Sequence, residues 1–287
     1  MDREGTMWKR LVVGVLAAGL MTSGCGFTED LRGDGNTVTE ARVAEGFLVV
    51  ENRSSLDVVV REGEVADVKV TIDANLQSNV RTYVKAGETL VIETDGFFSP
   101  TNSPRVEVRV PRMVGAIQDG SGTLRVEGFE KVREDVRLVA KGSGALHFCG
   151  GVNTLDAKHF GSGKMELCSA GSQMAEWVDF TQTGSGALTW SGAAKLVRAI
   201  ADGSGDMKLT GVTDRLMARL DGSGDLEAQA LKAVDVNLVS DGSGHTAAHV
   251  DGGGVVITLD ASGDVELFGH ALSSQVRVNG SGKVSWH

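Results

Sequence analysis

Apolar and polar residues alternate along most of the chain, and from about residue 120 onward the alternation repeats at a nearly fixed interval. Its marker is Gly-Ser-Gly, which begins at Gly120, Gly142, Gly161, Gly184, Gly203, Gly222, Gly242 and Gly280, with Ala261-Ser262-Gly263 in the one missing place. Successive markers stand 22, 19, 23, 19, 19, 20, 19 and 19 residues apart. Counting from the first residue of each marker, positions five and seven are apolar almost throughout, from Leu124 and Val126 to Val265 and Leu267; Thr246 and Ala248 are the weakest pair. The residue between them is mostly polar, as in Arg125, His147, Glu166 and Lys208. This period of two predicts a strand with one buried face. A second strand is predicted just upstream of each marker, with apolar residues such as Val136, Leu138 and Ala140, or Leu216, Ala218 and Leu220. A corner separates the two strands and is often glycine: Gly128, Gly150, Gly192, Gly211 and Gly269.

Self-similarity at this interval marks a solenoid, one supersecondary unit stacked on the next. No amphipathic helix fits between the strands, which excludes leucine-rich and ankyrin-type repeats. The fold class is therefore all-β: a right-handed parallel β-helix of ~20-residue coils whose strands pair at ~4.8 Å around one apolar interior. Glycine suits the corners in two ways, by reaching positive φ and by letting coils stack closely. Residues 114–287 read as the helix. Residues 37–113 alternate without the strict period and hold all three prolines. They read as an irregular β-rich N-terminal cap fused to the solenoid, because terminal coils must close an open core.

The first residues are of another kind. Lys9 and Arg10 precede an apolar run, Leu11–Met21, too short to span a bilayer comfortably, and Thr22-Ser23-Gly24-Cys25 follows. Basic, apolar, then small residues predict a signal peptide over 1–24. The cysteine at the cleavage point resembles the lipobox of bacterial lipoproteins. That resemblance implies that Cys25 becomes the lipidated first residue, that residues 25–36 are a tether, and that the chain is held on the membrane by the anchor on Cys25. Gly26 stands where an inner-membrane lipoprotein has Asp, which implies the outer membrane, facing the periplasm or the surface. An ordinary signal peptide that happens to contain a cysteine has the same order.

Charge narrows the partners. The chain carries 38 acidic and 28 basic residues, net −10, which argues against nucleic acid and against docking on an anionic membrane face. Catalytic chemistry finds no local support. Ser, His and Asp are present without a triad motif. His147, His159, His245, His249, His270 and His287 lack metal-type spacing and read as structural or exposed. The ladder serines read as hydroxyls that satisfy corner backbone groups. No catalytic residue, cofactor or metal site is expected. Cys149 and Cys168 both stand eighth in their repeats, 19 residues apart, which places them side by side on the outer face of adjacent coils. They are either a disulfide or two free thiols. Asp202, Asp221, Asp241 and Asp260 precede the tripeptide, and Asp206, Asp225 and Asp264 follow it. These columns are either a solvated edge whose upstream carboxylates accept corner N–H bonds, or a ladder bridged by calcium.

Ala41–Phe47, Leu56–Gly63, Gly87–Ile92 and Val106–Pro111, followed by the Gly-Ser-Gly ladder, resemble in order and spacing the bacterial family described as "putative auto-transporter adhesin, head GIN domain". The resemblance covers roughly Thr37 to His287. It implies a right-handed β-helix on a secreted or lipid-anchored protein, and it brings no catalytic residues. Two function classes follow: a non-catalytic, adhesin-like cell-envelope module that binds a glycan or surface protein, and, as the alternative, a carbohydrate-active β-helix enzyme such as a polysaccharide lyase. A lyase would gather Asp, Lys and Arg in a groove, whereas Lys141, Lys164, Arg198 and Arg219 are scattered along the repeats.

Overall fold

A computed structural model describes residues 31–171, 173–260 and 262–287, with residues 131–133 described by their backbone alone. The expected signal peptide, Cys25 and the part of the expected tether before Leu31 lie outside the described residues. The chain winds into a β-solenoid of about nine turns. Ala187–Ala201 pairs in parallel with Met207–Leu220 along nearly its whole length, Leu188 opposite Met207 and Ala201 opposite Leu220. The 19-residue step is thus the register of one coil upon the next.

Positions five and seven face the interior as the alternation predicts. Leu124, Leu146, Met165, Leu188, Met207, Leu209 and Leu267 are fully buried, and Trp190 packs tilted against Phe180 at 5.7 Å between ring centroids. Each buried Leu or Met contributes ~1.5–3 kcal/mol relative to an exposed one. The predicted glycine corner between strands is, in several coils, a bend inside one continuous strand, as in Thr123–Ala140, Ala145–His159, Ala187–Ala201 and Met207–Leu220. Pairing to the neighbouring coil continues through the bend, with Gly192 opposite Gly211, so the strand does not break there.

The two reasons for glycine separate cleanly. Bend glycines include left-handed ones, Gly128 at φ 89° and Gly211 at φ 121°. No described Gly-Ser-Gly glycine has positive φ; these are required by proximity. A Cβ on Gly222 would lie 2.7 Å from the backbone carbon and nitrogen of Gly203 and closer still to its oxygen. The serines between these glycines point outward and are exposed.

Parallel coils begin before the first Gly-Ser-Gly. Val49–Asn52 and Asp57–Glu62 pair in parallel with Gly115–Gln118 and Thr123–Ala140, with Ser54-Ser55-Leu56 standing against Gly120–Gly122. Beyond them Thr89–Thr94 and Arg105–Val110 add another coil. Antiparallel strands close this end: Thr37–Arg42 on Asp67–Asp73, Asp67–Asp73 on Arg105–Val110, and Val80–Lys85 on Thr89–Thr94. Leu76 of the short 3-10 helix Ala74–Asn79 is buried among them. At the other end Val276 and Val278 keep the inward pattern yet remain 43% and 42% exposed, since no described coil covers them.

Candidate functional site

Several buried polar residues of the solenoid form a column two positions before the corner. Gln118 donates from Nε2 to the Gly122 carbonyl at 2.9 Å, and Gln182 donates likewise to the Gly186 carbonyl at 2.5 Å. Asn52 donates from Nδ2 both to the Leu56 carbonyl and to Gln118 Oε1, each at 3.1 Å. These buried amides, rather than the ladder serines, satisfy corner carbonyls; among the described residues the serine hydroxyls of the ladder make no such bond. The serine expectation fails because the ladder hydroxyls are exposed to water, while corner carbonyls are taken by backbone N–H groups of the next coil and by the buried amides. His159 occupies the same column, fully buried, with neither ring nitrogen bonded. Burial holds its pKa below the ordinary imidazole value.

The outer faces carry ion pairs between neighbouring coils. Lys208 Nζ reaches Glu227 at 2.7 Å, Lys195 reaches Glu176 at 2.7 Å, and Arg198 reaches Asp179 at 3.1 Å. The structure joins Cys149 to Cys168, with their Cα atoms 4.6 Å apart in directly paired strands. They line a shallow trough of about 320 Å³ with Arg125, His147 and Glu166. His147 Nδ1 lies 2.5 Å from Glu166 Oε2, and Lys164 bonds the other carboxylate oxygen. The Lys164 bond holds the Glu166 carboxyl below the usual carboxylate range. Desolvation, with Arg125 adding to it, lowers the His147 pKa against the opposing pull of Glu166. The four scattered cations do not converge: Lys164 is taken by Glu166, Arg198 by Asp179, and Arg219 by Asp221 and Asp241, while Lys141 stands nearest Asp119.

The acidic edge is differently bonded than expected. The downstream carboxylates, not the upstream ones, accept backbone N–H groups, and they do so from the next coil: Asp206 from Asp225, Asp225 from His245 at 2.7 Å, and Asp264 from Lys283 at 2.8 Å. Register explains the choice, because position four of one coil lies directly over position four of the last. Among the described residues no three of His, Cys, Asp and Glu converge as a metal cluster would.

A further groove lies on the outer face of the first coils. It measures about 580 Å³ and has an apolar floor of Val49, Val114, Ile117, Val139 and Phe160. Arg137, Lys141 and Lys158 line it as well. Register assembles it: Gly115 lies between Val49 and Arg137, and Val139 between Ile117 and Lys158. The signal lay in the corner column. Where four later coils place Asp202, Asp221, Asp241 and Asp260, these place Lys141 and Phe160.

The profile of the family described as "Putative auto-transporter adhesin, head GIN domain" matches residues 46–175 and 169–271. No curated protein matches the chain in sequence. Among solved structures, a "putative adhesin" from Parabacteroides distasonis is similar at 18% identity and TM-score 0.65, covering 90% of this chain and 100% of its own. A "putative adhesin" from Parabacteroides merdae is similar at 18% identity and TM-score 0.64, over 90% and 99%. A "putative lipid binding protein" from Parabacteroides distasonis shares the fold at 18% identity and TM-score 0.59, over 90% and 100%.

Proposed function

The chain belongs to the head GIN domain family, and from that premise we propose that it is a non-catalytic, adhesin-like module of the bacterial cell envelope, exported and lipid-anchored through Cys25 on the outer membrane. It engages a glycan or surface protein with the outer face of its solenoid. The observation that carries this reading is the distribution of chemistry along the rod. Cations and carboxylates are spent in separate pairs, one coil at a time, as with Lys195–Glu176, Arg198–Asp179 and Lys208–Glu227. A lyase needs acid, base and cation around one bond, whereas a rod of spaced pairs offers a long, rigid and repetitive contact face. The order basic, apolar, small, Cys supports the anchor, and Gly26 supports the outer membrane.

Three measurements test this. Metabolic labelling with a clickable fatty acid should mark the wild type and not Cys25→Ala. Protease shaving of intact cells should tell surface from periplasm. The exported protein should bind on arrays of glycans and surface proteins and leave bound polysaccharides intact. Absence of label on the wild type overturns the anchor. Eliminative cleavage of a polyanionic polysaccharide overturns the non-catalytic reading.

A further inference from the structure

The groove beside Phe160 differs from the rest of the surface in two independent respects. The first is its floor. Ile117 and Val139 occupy outward positions of paired strands, and Phe160 is 46% exposed at a corner where other coils carry Asp. Gly115 lets the Val49 side chain and the Arg137 backbone close over it, because a Cβ there would meet Val49 at 3.2 Å and the Arg137 carbonyl at 3.1 Å. Water is held poorly over such a surface, and covering it releases free energy in proportion to the apolar area.

The second is the state of its cations. Several outward cations elsewhere on the coils are hydrogen-bonded to carboxylates of a neighbouring coil, such as Arg61 to Glu127, Arg112 to Glu134 at two positions, and Arg219 to Asp241. Around the groove they are not. Arg137 Nε and Lys158 Nζ share one carboxylate oxygen of Asp156 at 3.7 and 3.6 Å, and Lys141 Nζ stands 3.9 Å from Asp119. These distances exceed hydrogen-bond length, so their donors face the groove's surroundings unspent. Three cations against two carboxylates also make this a locally basic place on a chain of net charge −10.

An apolar trough flanked by under-bonded cations complements a molecule with an anionic head and one apolar tail. We propose that the groove binds a free long-chain fatty acid as its carboxylate, the tail on Val49, Ile117, Val139 and Phe160 and the head among Arg137, Lys141 and Lys158. A volume of about 580 Å³ falls within the range of ~300–1,000 Å³ typical of small-molecule sites. A carboxylate accepts bidentate bonds from a guanidinium and single bonds from ammonium groups, which matches the donors present.

The test uses the full exported chain carrying Cys25→Ala, so that no anchor of its own competes, and palmitate as probe in calorimetric titration below its aggregation threshold. Hexadecyltrimethylammonium, of equal tail length and opposite charge, is the control, and vesicles containing anionic phospholipid form a third arm. Palmitate should bind with one site per chain, and the cationic amphiphile should bind about tenfold or more weakly. The triple variant Arg137→Gln, Lys141→Gln, Lys158→Gln should lose about tenfold or more in palmitate affinity. Phe160→Ser should weaken palmitate and the cationic amphiphile alike. Arg137, Lys141 and Phe160 are exposed and Lys158 is half-buried on the outer face, so melting curves of these variants should overlay the parent. Equal affinity for both amphiphiles, undiminished affinity in the triple variant, or binding to vesicles with none to palmitate each overturns the proposal. The inference rests on reading the chain as a binding module, yet the two fail separately. Palmitate binding without any surface partner removes only the adhesin-like reading, and array binding that persists without palmitate binding removes only this one.

Discussion

Replacing Gly222 by alanine isolates the contact on which coil stacking depends. An added Cβ would stand 2.7 Å from the carbon and nitrogen of Gly203, and ordinary contact begins at 3.4 Å. Relief therefore needs a displacement of at least 0.7 Å (3.4 − 2.7) from these two atoms alone. The Gly203 carbonyl accepts from the N–H of Ser223 at 3.0 Å and of Gly224 at 3.2 Å. Adding 0.7 Å takes these to about 3.7 and 3.9 Å, beyond hydrogen-bond length. Two lost bonds cost ~1–3 kcal/mol net, and the clash itself, against backbone that cannot rotate away, adds ~1–3 kcal/mol. Gly222→Ala should therefore lose ~3 kcal/mol or more in guanidinium melts followed by circular dichroism. Ser223→Ala, at an exposed residue one position away, should lose under ~0.5 kcal/mol. Because coils contact only their neighbours, amide hydrogen exchange should rise in the coils flanking residue 222 and stay unchanged in the N-terminal cap. A Gly222→Ala protein that melts with Ser223→Ala would refute the argument and return the tripeptide's glycines to a merely conformational role.

Three further outcomes are expected. Leu209→Ala should cost ~2–5 kcal/mol through transfer and cavity terms, while Lys208→Ala, which gives up only an exposed pair with Glu227, should cost ~1 kcal/mol or less; equal losses would invert the in–out phase. Mass spectrometry of unreduced protein should find Cys149 and Cys168 joined, and reduction should cost about 3 kcal/mol for a 19-residue separation; two alkylatable thiols in the folded protein would show them free. His159 has its folded pKa lowered by burial, so the unfolded chain takes the proton more readily; its contribution to stability is intact above the unfolded value of ~6.5 and declines as pH falls below it. His159→Gln, which matches Gln118 and Gln182 in the same column, should flatten the stability curve below about pH 6.5, and an unchanged slope would locate the titration elsewhere.

How much of this was legible depends on which physical constraint a residue answers to. The inward phase of Leu124, Leu146 and Leu209 was legible because burial on one face of a strand writes a period of two. The adjacency of positions 149 and 168 was legible because a constant step converts sequence position into register. The reason for the glycines was not, since positive φ and close approach select the same residue, and only coordinates show that Gly211 answers to the first as well as the second while Gly222 answers to the second alone. The coil at Val49–Glu62 was hidden because Ser54-Ser55-Leu56 replaces the tripeptide. Its neighbouring coil, Thr89–Val110, was hidden because it stacks out of chain order. The serine hydroxyls misled because local bonding at turns is a general tendency of serine, and here the interior amides of Asn52, Gln118 and Gln182 do that work. The groove was hidden for a geometric reason. Its floor runs diagonally from Val49 through Ile117 and Val139 to Phe160, across coils separated by unequal steps, so its members share no sequence interval.

That diagonal also explains how such a surface can hold a site without disturbing the fold. Inward columns and corner glycines are coupled along the axis, since each coil must match the one beneath it in step and in volume. Apart from the Cys149–Cys168 disulfide, outward positions are coupled through side-chain pairs worth ~1 kcal/mol or less. Exchanging an Asp for Phe160 or Lys141 at an exposed corner therefore leaves stacking untouched while converting a solvated acidic edge into an apolar and basic one. The interior responds in the opposite way, where one methyl group at Gly222 separates two coils. A solenoid built like this divides its residues between two tasks by direction alone: inward side chains fix the rod, and outward ones are free to specify what it touches. Substitutions that alter binding at Arg137, Lys141, Lys158 or Phe160 should consequently leave the melting transition where it is, and those that alter melting at Gly222 or Leu209, several coils away, should leave the groove's affinity where it is.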